Sequence, residues 1–85
     1  MSTKLHQRNY RDDMAQAIQQ EQSGNFADAA LSYKKAQHHA ASANMLSKAK
    51  FAMARRICCL KGANDPLWRQ VNEKFQQLHQ TLEAR

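Results

Sequence analysis

Apolar side chains recur along this chain at steps of three and four residues. Tyr10, Met14, Ala17 and Ile18 form a first run, Phe26, Ala29, Ala30, Tyr33, Ala36 and Ala40 a second, and Leu46, Ala49, Met53, Ile57 and Leu60 a third. Trp68, Val71, Phe75, Leu78 and Leu82 follow as a fourth. That spacing gathers side chains on one face of an α-helix. Nowhere does the strict alternation of a half-buried strand appear. The pattern predicts an all-α protein of three to four helices, at about residues 9–23, 26–41, 45–61 and 66–84. These helices make a single helical domain, 9–85, behind a flexible N-terminal arm over residues 1–8, whose only large apolar side chain after Met1 is Leu5.

Residues between the runs supply the stops and starts. Gly24 suits the left-handed position that ends a helix, and Asn25 can cap the next one, with Asp28 adding negative charge where the helix dipole favours it. An antiparallel αα-hairpin with a mostly alanine seam is the result, Phe26 and Tyr33 being its large knobs. Ser42 and Asn44 can each start a third helix. A continuous helix from Phe26 to Leu60 stays open as an alternative, but would be long for so small a domain. Gly62 closes the third helix. Asn64-Asp65-Pro66 combines a capping side chain with Pro at the first helical position, a strong start signal.

The third and fourth helices carry the functional argument. Leu46, Ala49, Met53, Ile57 and Leu60 should pack on the hairpin, yet Phe51, Ala54 and Cys58 form a second apolar stripe with Lys48 and Arg55 beside it. A helix apolar on two faces is central in its domain or touches a partner. Lys48, Phe51, Arg55 and Cys58 are therefore the candidate protein-binding residues, an apolar centre with a charged rim. Trp68, Val71, Phe75, Leu78 and Leu82 make a two-heptad seam, which folds back on the chain or pairs across a homodimer axis. Trp68 is read as core or interface.

Charge narrows the partner. The 85 residues carry a net charge of +6, and between Ala29 and Asn64 stand Lys34, Lys35, Lys48, Lys50, Arg55, Arg56 and Lys61 without a single acid. Such a field attracts an anionic surface, on an acidic protein or on nucleic acid. In a DNA reader, basic and polar side chains occupy consecutive groove-facing positions. Phe51 and Cys58 interrupt that pattern, so a protein partner is preferred and a nucleic-acid-binding protein is the second choice. The outer face of the second helix, with Leu31, Lys34, Lys35, His38 and His39, is expected to be solvated.

Enzyme chemistry is not indicated. The sequence holds no Gly-rich phosphate loop and no assembled nucleophile, and Asp12 and Asp13 are read as first-turn acids of helix 1. His38-His39 and Cys58-Cys59 are adjacent pairs. Neighbours on a helix diverge by about 100°, which opposes a tetrahedral metal set. No catalytic residue, metal or cofactor is expected. The chain has no apolar run long enough to span a bilayer, and MSTKLHQRNY lacks the apolar core of a signal peptide. Two free thiols suit a reducing compartment, so a cytoplasmic location is expected.

Two resemblances add to this. Ala17, Gly24, Phe26, Ala29, Tyr33 and Ala36 resemble the small, Gly and aromatic positions of a tetratricopeptide repeat, although a second copy roughly 34 residues on is absent. Over about residues 14–60 the chain also resembles the ANR family and its PerC-like relatives, small bacterial transcriptional regulators. The likeness is carried by Ala15, Ala17, Glu21, Gly24-Asn25-Phe26, Ala29-Ala30, Tyr33, Ala36, Ala40, Asn44, Arg55 and Cys59. It implies a protein that works by contacting another regulator, an AraC-type activator or a nucleoid-associated protein, with reduced virulence or colonisation gene expression as the outcome. The repeat-like hairpin implies instead an adaptor or chaperone whose groove holds a partner helix.

Overall fold

One turn, used three times, organises the chain. The computed structural model describes residues 3–84, and among them α1 (Thr3–Gln22), α2 (Phe26–Ser42), α3 (Leu46–Gly62) and α4 (Trp68–Glu83) follow in order. The three turns between them repeat every twenty residues: Gly24, Asn44 and Asn64 take φ of +79°, +57° and +57°. The next residue's N–H donates to the carbonyl five positions back, Asn25 to Gln20 at 2.9 Å, Met45 to Ala40 at 2.8 Å and Asp65 to Leu60 at 2.9 Å. The left-handed residue itself donates to Glu21, Ala41 or Lys61, each at 3.0 Å. These paired bonds satisfy the last carbonyls of a helix and stop it.

The expected break between α2 and α3 is present, for a reason other than capping. Asn44 ends α2 rather than starting α3, and Asn64 likewise ends α3. Asn25 and Met45 precede their helices without a side-chain capping bond. In the turn before α4 the Asp65 Oδ1 accepts the Leu67 N–H at 2.9 Å, and Leu67 itself makes no side-chain capping bond. Gly62 is the last residue of α3 and not its left-handed stop. A Cβ there would lie 3.0–3.2 Å from the Phe26 ring, so the missing side chain is what lets the start of α2 lie against the end of α3.

Helix α1 starts at Thr3, six residues before the expected Asn9. The part of the presumed arm from residue 3 to residue 8 is helical, and residues 1–2 lie outside the described residues. Two contacts tie this end to α2: the His6 and His39 rings pack at a tilt of 41° with centroids 5.2 Å apart, and their Nδ1 atoms are 2.9 Å apart. Asp12 and Asp13 are accordingly mid-helix. Asp13 Oδ2 stands 3.7 Å from His39 Nε2, so His39 belongs to the α1–α2 contact and not to a solvated face.

Each helix packs antiparallel on the next, which leaves α1 and α3 parallel on one side of α2. Ala17, Ala29, Ala36, Ala40 and Ala52 are fully buried, and such small seams let helix axes approach closely. Met14, Tyr33, Met53, Ile57, Cys59 and Leu60 fill the rest of the core, and Val71 closes it from α4. Trp68, Phe75 and Leu78 also pack against this core. The outer side of α4 exposes Arg69, Gln70, Glu73, Lys74, Gln76 and Gln77. The body is flat, 32 × 27 × 16 Å. No described helix is long and apolar enough to cross a membrane.

Candidate protein-contact groove

The parallel pair α1 and α3 walls a groove floored by α2. Ile18, Glu21 and Gln22 line it from α1, Phe26 and Tyr33 from α2, and Phe51 and Arg55 from α3, around about 370 Å³. Glu21 is the node of its polar side. Four residues after Ala17 on the face of α1 turned to the core, its carboxylate sits where two donors converge. The Tyr33 hydroxyl donates to Oε1 at 2.7 Å, and the Arg55 guanidinium donates to Oε2.

The electrostatics follow from burial. Tyr33 is only 1% exposed; desolvation, reinforced by the hydrogen bond to Glu21, pushes its pKa up to about 12. Arg55 is held more firmly charged, above all by its bond to Glu21. Beneath them Cys59 is fully buried, and burial, with Glu21 adding to it, pushes its thiol up to about 11. The polar side of the groove is thus locked, with its one carboxylate already satisfied.

The apolar side is not. Phe51 is 55% exposed and Ile18, across the groove, 43% exposed. Lys48 Nζ stands 5.7 Å above the Tyr10 ring, tying the start of α3 to α1 as Arg55 ties its middle. Phe51 and Arg55 thus line the groove together, and Lys48 stands over Tyr10 outside its lining. Cys58 is exposed on the same helix but lies beyond the residues lining the groove.

The fourth-helix seam is placed differently from the expected dimer face. Val71 is buried and Trp68, Phe75 and Leu78 pack on the core of their own chain. Leu82 joins Met45 and Leu46 at a shallow cleft. Along this contact Lys61 Nζ lies 4.4 Å above the Trp68 ring, and Lys50 bonds to His79 Nδ1 and sits 5.6 Å above the Phe75 ring. The seam covers the Lys50 and Lys61 side of α3 and leaves Phe51 and Cys58 open.

Hairpin residues Ala17, Ala29, Tyr33 and Ala36 are core. Gly24 and Asn25 form the turn, and Phe26 abuts Gly62. They hold the walls in place. His39 is turned to His6 and Asp13, while His38 is exposed. Among the described residues no three His, Cys, Asp or Glu side chains stand close enough to hold a metal ion.

Two residues of the groove, Ile18 and Glu21, are not among the site residues that the sequence suggests. Ile18 was grouped with the core stripe, although it lies about 100° round the helix from Ala17, on the side of Arg11. Glu21 continues the run Tyr10, Met14, Ala17 at the next step of four, and an acid in an apolar stripe was the available signal. On the other side of the slab, Leu31, 60% exposed, borders a cleft of about 210 Å³ with Leu67, Lys34 and Arg56. Burial lowers the pKa of Arg56.

No family model, curated protein or solved structure matches this chain.

Proposed function

We propose that this protein acts by binding another protein through the groove between α1 and α3, with Phe51 and Ile18 as its apolar centre and Lys48 and Arg55 at its charged rim. The observation that carries the reading is the pair of half-exposed large apolar residues facing each other over a polar node that needs no further partner. Contiguous apolar surface framed by charge is how transient protein interfaces are built. Nothing in the groove arranges a nucleophile or a general base, so the reading is a binding module without catalysis.

The resemblance to ANR-type regulators gives the partner class: a transcription factor of the AraC type or a nucleoid-associated protein, with the chain as a negative regulator. The hairpin residues that carry this likeness are core and turn residues, which any alanine-seamed hairpin requires. The regulatory reading therefore rests on the family likeness, and the binding reading on the groove. Direct nucleic-acid binding is the weaker alternative, because Lys50 and Lys61 of the basic stretch are turned to α4.

Photo-crosslinking separates these readings. With a photoreactive phenylalanine at position 51, the expected result is a discrete protein adduct in cells. It should survive nuclease, be missing when the probe is moved to position 70 on the outer side of α4, and be competed by wild type but not by Phe51→Asp. Adducts that vanish with nuclease, or none at position 51, would overturn the proposal.

A further inference from the structure

Resting on the groove just described, we infer that its occupant is an acidic amphipathic α-helix that inserts one large apolar side chain between Ile18 and Phe51. The walls decide the conformation. Both are helices, whose backbone N–H and C=O groups are bonded within themselves, so they offer no ladder to an extended peptide. An extended occupant would have only water to bond its backbone, whereas a helix satisfies its own.

The distribution of charge decides the sign. Ile18 marks the groove side of α1; Arg11, seven residues earlier, falls within about 20° of it on a helix of 3.6 residues per turn. On α3 the groove side carries Lys48 and Arg55, and α3 contains no acid. Glu21 neutralises Arg55, which leaves Arg11 and Lys48 as the uncompensated cations. Asp13, the next acid of α1, faces His39, and Asp12 is exposed, about 120° round the helix from Ile18. The lining itself is thus neutral, and the end of the groove toward Arg11 and Lys48 is left net positive, where like charge on an occupant is disfavoured.

Volume sets the anchor. About 370 Å³ of open groove takes a Leu, Phe or Trp side chain while the remainder of the occupant stays at the surface. The floor beneath is fixed by Tyr33, whose hydroxyl is tied to Glu21, so the pocket is formed before an occupant arrives. Helix-in-groove recognition uses such a preformed slot for one anchor and the rim for register.

Fluorescence anisotropy with three labelled helical peptides tests this. The peptides share one apolar face, with a Phe anchor flanked by Leu at i−4 and i+3, and carry Glu, Gln or Lys on the flanking positions. The Glu peptide should bind. Its affinity should fall on the order of tenfold or more with Phe51→Ala, as for a central interface anchor, and again with the exposed pair Arg11→Glu and Lys48→Glu. The same pair should improve the Lys peptide. Circular dichroism confirms that each variant is folded. Equal binding of the Glu and Lys peptides would overturn the charge assignment. Binding of the Glu peptide undiminished by Phe51→Ala would overturn the location. A protein adduct at position 51 in cells with no peptide bound would leave the contact surface standing and refute the acidic helix; failure of both would remove the groove reading itself.

Discussion

Raising the pH strikes at the node beneath the groove. Tyr33 and Cys59 are both sealed in the core, and their pKa values rise from 10.0 to about 12 and from 9.0 to about 11. A group whose folded pKa exceeds its unfolded value contributes stability that is complete below the unfolded pKa and disappears as pH climbs to the folded one. Cys59 therefore weakens the fold between about pH 9 and 11, and Tyr33 between about pH 10 and 12. At 1.36 kcal/mol per unit, each group accounts for roughly 2–3 kcal/mol. A domain of this length has only about 4–13 kcal/mol in total. The assay is denaturant unfolding followed by circular dichroism from about pH 8 to 12, on wild type and Tyr33→Phe. Near pH 8 the variant should be less stable by about 1 kcal/mol, the net worth of the lost hydrogen bond. It lacks the hydroxyl that must ionise, so its stability should decline less steeply above pH 10 and the two curves should converge or cross. Parallel curves would show that the Tyr33 proton is not held by the fold, and the account of the Glu21 node would fail.

Other perturbations read the turns and the groove wall. Gly24→Ala places a Cβ on a residue at φ +79° and should cost about 1–2 kcal/mol, lowering the thermal midpoint by several degrees, roughly 4–8 °C per kcal/mol in a domain this small. Asn44→Gly and Asn64→Gly, at φ +57°, should leave it unchanged or raise it. Gly62→Ala should fail to give the gain of about 1 kcal/mol usual for Gly to Ala inside a helix, because the Phe26 ring must yield; in a Phe26→Ala background the gain should return. Glu21→Gln removes a partly exposed ion pair and should cost roughly 1 kcal/mol in urea unfolding, with a loss nearer zero refuting Glu21 as the tie between α1 and α3.

The helices were legible because the apolar steps of three and four are local, although the pattern left their number at three to four. Gly24 announced its turn through glycine's freedom at positive φ. Asn44 and Asn64 occupy the same position in their own turns, but Asn is also a good N-cap, and one-dimensional reading assigned both to the wrong helix. The decisive bond, from the N–H after the left-handed residue to a carbonyl five positions back, leaves no trace in side-chain type. The twenty-residue spacing of 24, 44 and 64 was present in the sequence without one residue common to all three positions to mark it. Phe51 was legible as an uncovered residue because it stood off the main stripe of α3. Ile18 was not, since an apolar residue beside Ala17 looks like core until the position of α3 fixes which side of α1 is open. The fourth-helix seam was legible as apolar but not as intramolecular, because periodicity carries no information about which surface receives it.

The same economy of side-chain size that builds the fold leaves its binding surface exposed. Among the described residues, seven of the fourteen buried hydrophobic ones are alanine. Each methyl removes little apolar area from water, about 0.8 kcal/mol per buried carbon group, against roughly 1.5–3 kcal/mol for a fully buried Leu, Ile or Phe. Alanine inside brings the helix axes together and makes the body thin, 16 Å in its shortest dimension, so larger side chains such as Ile18, Leu31 and Phe51 are left outside. The fold is then short of buried area at the place where a partner would add it. A ligand that binds only the folded form raises stability by RT ln(1 + [L]/Kd), about 2.7 kcal/mol at a hundredfold excess over Kd. An occupant of the α1–α3 groove should therefore raise the unfolding midpoint of wild type and leave Phe51→Asp unmoved, although the two are expected to unfold alike when alone, because Phe51 is already more than half in water. If Phe51→Asp by itself were strongly destabilised, Phe51 would be a core residue, and the physical case for an uncovered apolar centre would be lost.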